Sequence, residues 1–172
     1  MEKKKIFDER STLIELIEYG ATIRGKVISR FILLEDVINL FLTFQFSGEK
    51  EVILLESLFT TNKITFDSKR KLFISIINKH HAGFANINKG DKKSPGITTR
   101  LQLLSEERNV FAHNSLDTGK ESVRSFYDKK TLTFGKFLGD ANPKIYTQKQ
   151  VSDLLYRLTV EINLINSLNI PT

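Results

Sequence analysis

The sequence predicts an all-α fold, an up-and-down bundle of four to five helices with a small β-hairpin inserted before the last helix. Three observations predict it. Apolar residues recur at helical spacing over most of the chain. That spacing gives way to alternation once, between Val123 and Phe134. Glycine, proline and asparagine gather at a few points, none long enough to be a linker, so residues 1–172 read as one domain without internal repeats.

Ser11 to about Phe46 keeps helical spacing through Leu13, Leu16, Ile17, Ile28, Phe31, Ile32, Leu34, Ile38, Phe41 and Leu42. It reads as one long helix or as two joined end to end near Gly20 and Gly25. Glu35 and Asp36 are adjacent and point about 100° apart, which suits a solvated edge better than an acid pair. Ser47-Gly48 is a stop, and Glu49 to Phe59 a second, shorter helix. Asp67 reads as the N-cap of a helix to about His80, with Leu72, Phe73, Ile76 and Ile77 as its core face. His80 and His81 splay as neighbours and lack a third ligand, so they suit the negative end of that helix better than a metal.

Gly83 to Gly96 reads as loop, with Phe84 packing it onto the body or stacking a base. Ser94-Pro95 opens a helix that starts near residues 95–98. Val123–Tyr127 and Thr131–Phe134 flank Asp128-Lys129-Lys130 and read as a hairpin, followed by an irregular stretch from Gly135 to Lys144. Thr147 and Gln150 form a capping-box pattern. The last helix follows, with Val151, Leu154, Leu155, Leu158, Ile162, Ile165 and Leu168 on one face.

A chain of about 150 residues buries roughly 70% of its unfolded surface, so a core of ordinary size suffices for these 172 residues. There is no cysteine, which excludes disulfides, thiolate metal sites and cysteine nucleophiles. Met1-Glu2-Lys3-Lys4-Lys5 leads into Phe7-Asp8-Glu9-Arg10, not into an apolar signal core, and no apolar run reaches membrane-span length. A cytoplasmic setting without membrane attachment is the expectation. No phosphate loop, dinucleotide glycine pattern or His-Glu-x-x-His is present, so no cofactor and no metal are expected.

The net charge of +6 is uneven. Residues 61–100 carry 9 basic and 2 acidic residues, while the segments on either side are near neutral. Such a patch reads as a polyanion footprint or as a solvated lysine-rich surface. On the first reading Lys89, Lys92, Lys93 and Arg100 are the candidate RNA contacts.

The remaining chemistry lies in Glu106-Glu107-Arg108-Asn109-Val110-Phe111-Ala112-His113-Asn114. Leu101, Leu103, Leu104, Val110 and Phe111 make this stretch helical, which puts Asn109 and His113 on one face. Arg108 lies about 140° round the helix from His113, with an arm long enough to swing toward the helix end. Asn114-Ser115 and Asp117-Thr118-Gly119 read as the stop. Histidine suits proton transfer near neutrality, arginine the charge on a phosphate, and asparagine can hold either without adding charge.

Arg108, Asn109 and His113 resemble the signature of the HEPN superfamily, in which an arginine and a polar residue precede a histidine by a short helical interval. The resemblance implies an up-and-down helical bundle with the motif late in the chain. It implies a metal-independent endoribonuclease with Arg108, Asn109 and His113 as its catalytic residues. There the RNA's own 2′-hydroxyl attacks the neighbouring phosphorus, leaving a 2′,3′-cyclic phosphate. It also implies a homodimer that pairs its motif helices around one cleft, in phage defence or in a toxin system with an antitoxin or regulatory partner. HEPN toxins paired with nucleotidyltransferase antitoxins carry a tyrosine two residues after the histidine; here that residue is Ser115, a departure from the pattern. Two other readings stand beside the nuclease. One is a non-catalytic HEPN module that binds RNA or a nucleotide, and the other a helical protein-interaction domain in which Arg108 pairs with Glu107 or a nearby carboxylate.

Overall fold

A computed structural model describes residues 7–46, 64–90, 94–136 and 142–168. The expected helix at Glu49–Phe59, the N-terminal lysines, and Lys92 and Lys93 lie outside the described residues. Among those described are six helices: α1 (Glu9–Phe46), α2 (Phe66–His80), α3 (Ala82–Ile87), α4 (Ile97–His113), α5 (Lys120–Lys129) and α6 (Gln148–Asn166). Three short strands, β1 (Ser115–Leu116), β2 (Leu132–Gly135) and β3 (Lys144–Tyr146), form one antiparallel sheet in the order β1-β2-β3. The chain is therefore mainly helical, with a small β insertion before the last helix.

By packing, the described chain falls into two compact units, residues 1–29 with 108–156 and residues 30–107 with 157–172. In the second unit Phe31, Leu34, Ile38, Phe41 and Leu42 of α1 are buried, as are Phe73, Ile76 and Ile77 of α2 and Leu101 and Leu104 of α4. The rings of Phe41 and Phe73 meet edge to face at 5.0 Å, a favoured aromatic geometry. Two charged pairs are taken into this packing. Lys69, 2% exposed, donates to Glu35 at 2.5 Å, and Arg100 reaches Glu161, whose side chain is 3% exposed.

The cap of α2 is Thr65, not Asp67: the Thr65 hydroxyl accepts from Ser68 N at 3.2 Å. Either residue type caps well, but Asp67 stands inside the first turn with its carboxylate turned to Arg70 and Lys71. The expected loop after His81 begins with the short helix α3 and ends where Gly90 pairs with Pro95. Gly90 has φ +82°, and a Cβ there would stand 2.2 Å from the Gly96 nitrogen, so this turn demands glycine.

In the first unit Leu16, Ile23 and Val27 of α1 are buried together with Phe111, Val123, Phe126, Leu132, Phe134, Tyr146, Val151 and Leu154. α1 runs through Gly20 without a break, and Gly20 has a packing role. A Cβ there would fall 2.7 Å from a methyl of Leu116, the β1 residue that sits over it. The capping box at Thr147 forms as expected: Gln150 N donates to the Thr147 hydroxyl, and Thr147 N to the Gln150 side chain.

The structure corrects the expected hairpin in one respect. Residues 123–127 are not a strand; they lie in α5. The buried residues of α5 are Ser122, Val123 and Phe126, a helical rather than an alternating set. Asp117 starts the helix by accepting from Gly119 N at 2.9 Å and from the Ser122 hydroxyl at 2.8 Å. Lys130, left-handed at φ 52°, ends it. The strand that pairs with β2 is instead β3, in the register Leu132↔Tyr146 and Phe134↔Lys144.

Lys71, and after it Arg70, holds the Asp67 carboxyl below its ordinary value of 3.8. A folded-state pKa below the unfolded one adds stability above the ordinary carboxylate range and loses it as pH falls through the folded value. Asp67→Asn is therefore expected to lower the melting temperature by a constant amount at neutral pH. The difference from the native chain should shrink below about pH 4, which melting curves across pH would show.

Candidate functional site

The last turns of α4 carry the motif, and their position is set from below by Phe111. Its ring lies 5.0 Å from that of Phe134 on β2 and 4.8 Å from that of Tyr146 on β3. From behind, Arg24 of α1 donates to the Asn114 carbonyl at 2.7 Å and stacks its guanidinium 5.3 Å over the Phe134 ring. That bond satisfies a carbonyl at the helix end and puts a cation where the helix dipole is negative. Asn114 N donates to Val110 O at 3.0 Å, and the chain then passes directly into β1. His113 thus stands at the junction of a helix and a sheet, both fixed by packing.

A groove of about 630 Å³ opens at this junction. Asn109, Val110 and His113 line it from α4, Asn114 from just past the helix end, and Lys136, Asn142 and Lys144 from beside and within the paired strands β2 and β3. Its volume is in the range of small-ligand sites. Asn109 and His113 are both exposed and share the groove, as their spacing of four residues predicts. Arg108 is half-buried and does not line the groove. None of the described residues that line it is a carboxylate. The arrangement offers an imidazole for proton transfer, amides that donate or accept, and two ammonium groups for an anion.

Of the expected RNA contacts among the described residues, Lys89 and Arg100, neither lines this groove. Lys89 is exposed beside the Gly90 turn, in the other unit. Arg100 is committed to a paired geometry: Nε donates to Glu161 Oε1 at 2.5 Å and Nη2 to Oε2 at 3.2 Å, while Nη1 donates to Pro95 O. The groove's own cations, Lys136 and Lys144, were missed by sequence reasoning. Their signal was the strand register. In the expected hairpin β2 pairs with residues 123–127 and Lys144 ends an irregular stretch, whereas the observed register sets it opposite Phe134.

Compared with known protein families, curated proteins and solved structures, the chain matches none of them. Among the described residues, no helix is long and apolar enough to cross a membrane, and no group of three or more histidine or acidic side chains could hold a metal ion.

Arg100→Ala is expected to act on stability first. It would leave the buried Glu161 carboxylate without its cation, a change that costs about 3–5 kcal/mol. Denaturant unfolding would register this as a lower midpoint with an unchanged slope.

Proposed function

We propose that the chain is a metal-independent endoribonuclease of the HEPN type, with the groove at the end of α4 as its site. The observation that carries the reading is the meeting of His113 and Asn109 with two lysines in one groove that has no carboxylate among its described lining residues. RNA brings its own nucleophile. The 2′-hydroxyl attacks the adjacent phosphorus, the 5′-oxygen leaves, and the products are a 2′,3′-cyclic phosphate and a 5′-hydroxyl. Such a reaction needs a group that moves protons near neutrality, the part assigned to His113. It also needs donors for the charge that builds on phosphorus, the part assigned to Arg108. Asn109, one turn before His113, orients the imidazole or the phosphate.

Arg108 does not line the groove of its own chain. The reading therefore has it act in a cleft formed by two copies that meet at the motif helix. Two copies also supply two imidazoles, one to accept and one to donate a proton. A toxin or phage-defence setting, with an antitoxin or regulatory partner, belongs to the same proposal. The second reading, a module that binds RNA or a nucleotide without cutting it, draws on the same absence of Arg108 and on a groove otherwise built of amides and ammonium groups.

Mixed RNA incubated with the purified chain in EDTA is expected to yield 5′-hydroxyl and 2′,3′-cyclic phosphate ends, while DNA of the same sequence survives. His113→Ala should lower the rate about 10²–10⁴-fold, and Arg108→Ala about 10²–10³-fold. Because His113 is exposed, its replacement should leave the melting temperature unchanged. RNA that is bound but stays intact with and without metal would replace the nuclease by the binding module.

A further inference from the structure

We propose that Lys136 and Lys144 are a phosphate-binding pair that seats a single RNA strand in the groove from its sheet side. This rests on the reading of the groove as an RNA site, and it assigns the affinity for the backbone to residues outside the motif.

Side chains alternate along a strand, and directly paired residues share a face. The pairs Leu132↔Tyr146 and Phe134↔Lys144 therefore place Phe134, Tyr146 and Lys144 on one face of the sheet. This is the face that meets Phe111. Lys136 follows Gly135 directly past the end of β2 and lines the groove there. Along this face the character thus changes from aromatic, where it holds α4, to cationic, where it borders the groove. Both lysines are exposed, and both line the groove together with His113.

The buried contact of Phe111 with Phe134 and Tyr146 holds the backbones that carry the imidazole and the lysines against one another. A strand whose phosphates sit at the lysines is kept beside His113, which lines the same groove. Lysine suits this task better than arginine would. Its ammonium is a compact, hydrated point charge on a flexible stem, which attracts a phosphate without dictating its orientation. Such contacts bind substrate and transition state alike, so they govern KM and leave the chemical step to others.

The probe is a single-stranded 2′-deoxy oligonucleotide, which has the phosphates but not the nucleophile. Its affinity is measured by fluorescence anisotropy over a series of KCl concentrations, beside RNA cleavage by the same proteins. Each neutralised phosphate on a single strand contributes about 0.7 to the slope of log K against log salt. The double variant Lys136→Ala/Lys144→Ala should lose about 1.4 from the magnitude of that slope and raise KM for RNA with kcat unchanged. Lys136→Arg/Lys144→Arg should restore the slope. His113→Gln should keep the slope while losing cleavage. A double alanine variant with the native slope and native KM overturns the pair and leaves the nuclease reading standing. So does one that loses kcat at unchanged KM. A native chain that neither binds the oligonucleotide nor cuts RNA removes both. Circular dichroism and melting of the alanine variant, expected to match the native chain, exclude misfolding as the cause of a lost slope.

Discussion

Phe111 meets the rings of both Phe134 and Tyr146, and the geometry of the groove follows from this contact. The ring is fully buried. Truncating such a phenylalanine typically costs about 3–5 kcal/mol, and each favourable ring pair adds about 0.5–1.5 kcal/mol to area burial. That is a large share of the stability of an ordinary domain. Everything that lines the groove hangs on one side or the other of this contact. Asn109, Val110 and His113 belong to the helix that carries Phe111 and Asn114 directly follows it, while Lys144 stands in β3 and Lys136 and Asn142 flank the strands that carry its partners. Arg24 then ties the two sides together, with one guanidinium against the Asn114 carbonyl and the Phe134 ring.

Much of this was legible in the sequence, because burial imposes period on a helix. α1, α2, α4 and α6 follow from apolar spacing, and the start of α6 from the reciprocal side chains of Thr147 and Gln150. The shared face of Asn109 and His113 follows from four residues per approximate turn. α5 was not legible. Val123-Arg124-Ser125-Phe126-Tyr127 alternates if Ser125 is counted with the buried set, yet the buried partner turned out to be Ser122, one turn earlier. Asp117 makes the difference, by holding Gly119 N and the Ser122 hydroxyl, and a carboxylate that nucleates a helix leaves no periodic trace.

The charged residues show a second limit. Arg100 is one basic residue among several in a basic stretch, and nothing near it in the chain announces that its partner is Glu161. Lys69 and Glu35 are likewise 34 positions apart. A buried ion pair is fixed by tertiary position, so a local charge count treats both members as surface. The same blindness hid the groove's lysines, which stand in a segment of nearly balanced charge. Their meaning comes from the strand opposite them, not from their neighbours in sequence.

Gly20 and Leu116 carry a consequence for tracing ancestry. Nearly a hundred positions apart, they share one volume, since the missing Cβ at 20 is occupied by a methyl from 116. A lineage that adds a side chain at 20 has to move or shrink the leucine end at 116. In a distant cousin of this chain the sizes at these two positions stay coupled through that contact even after Arg108 or His113 has been replaced. A search keyed to the reciprocal volumes at 20 and 116 would follow the architecture where a search keyed to the motif would lose it.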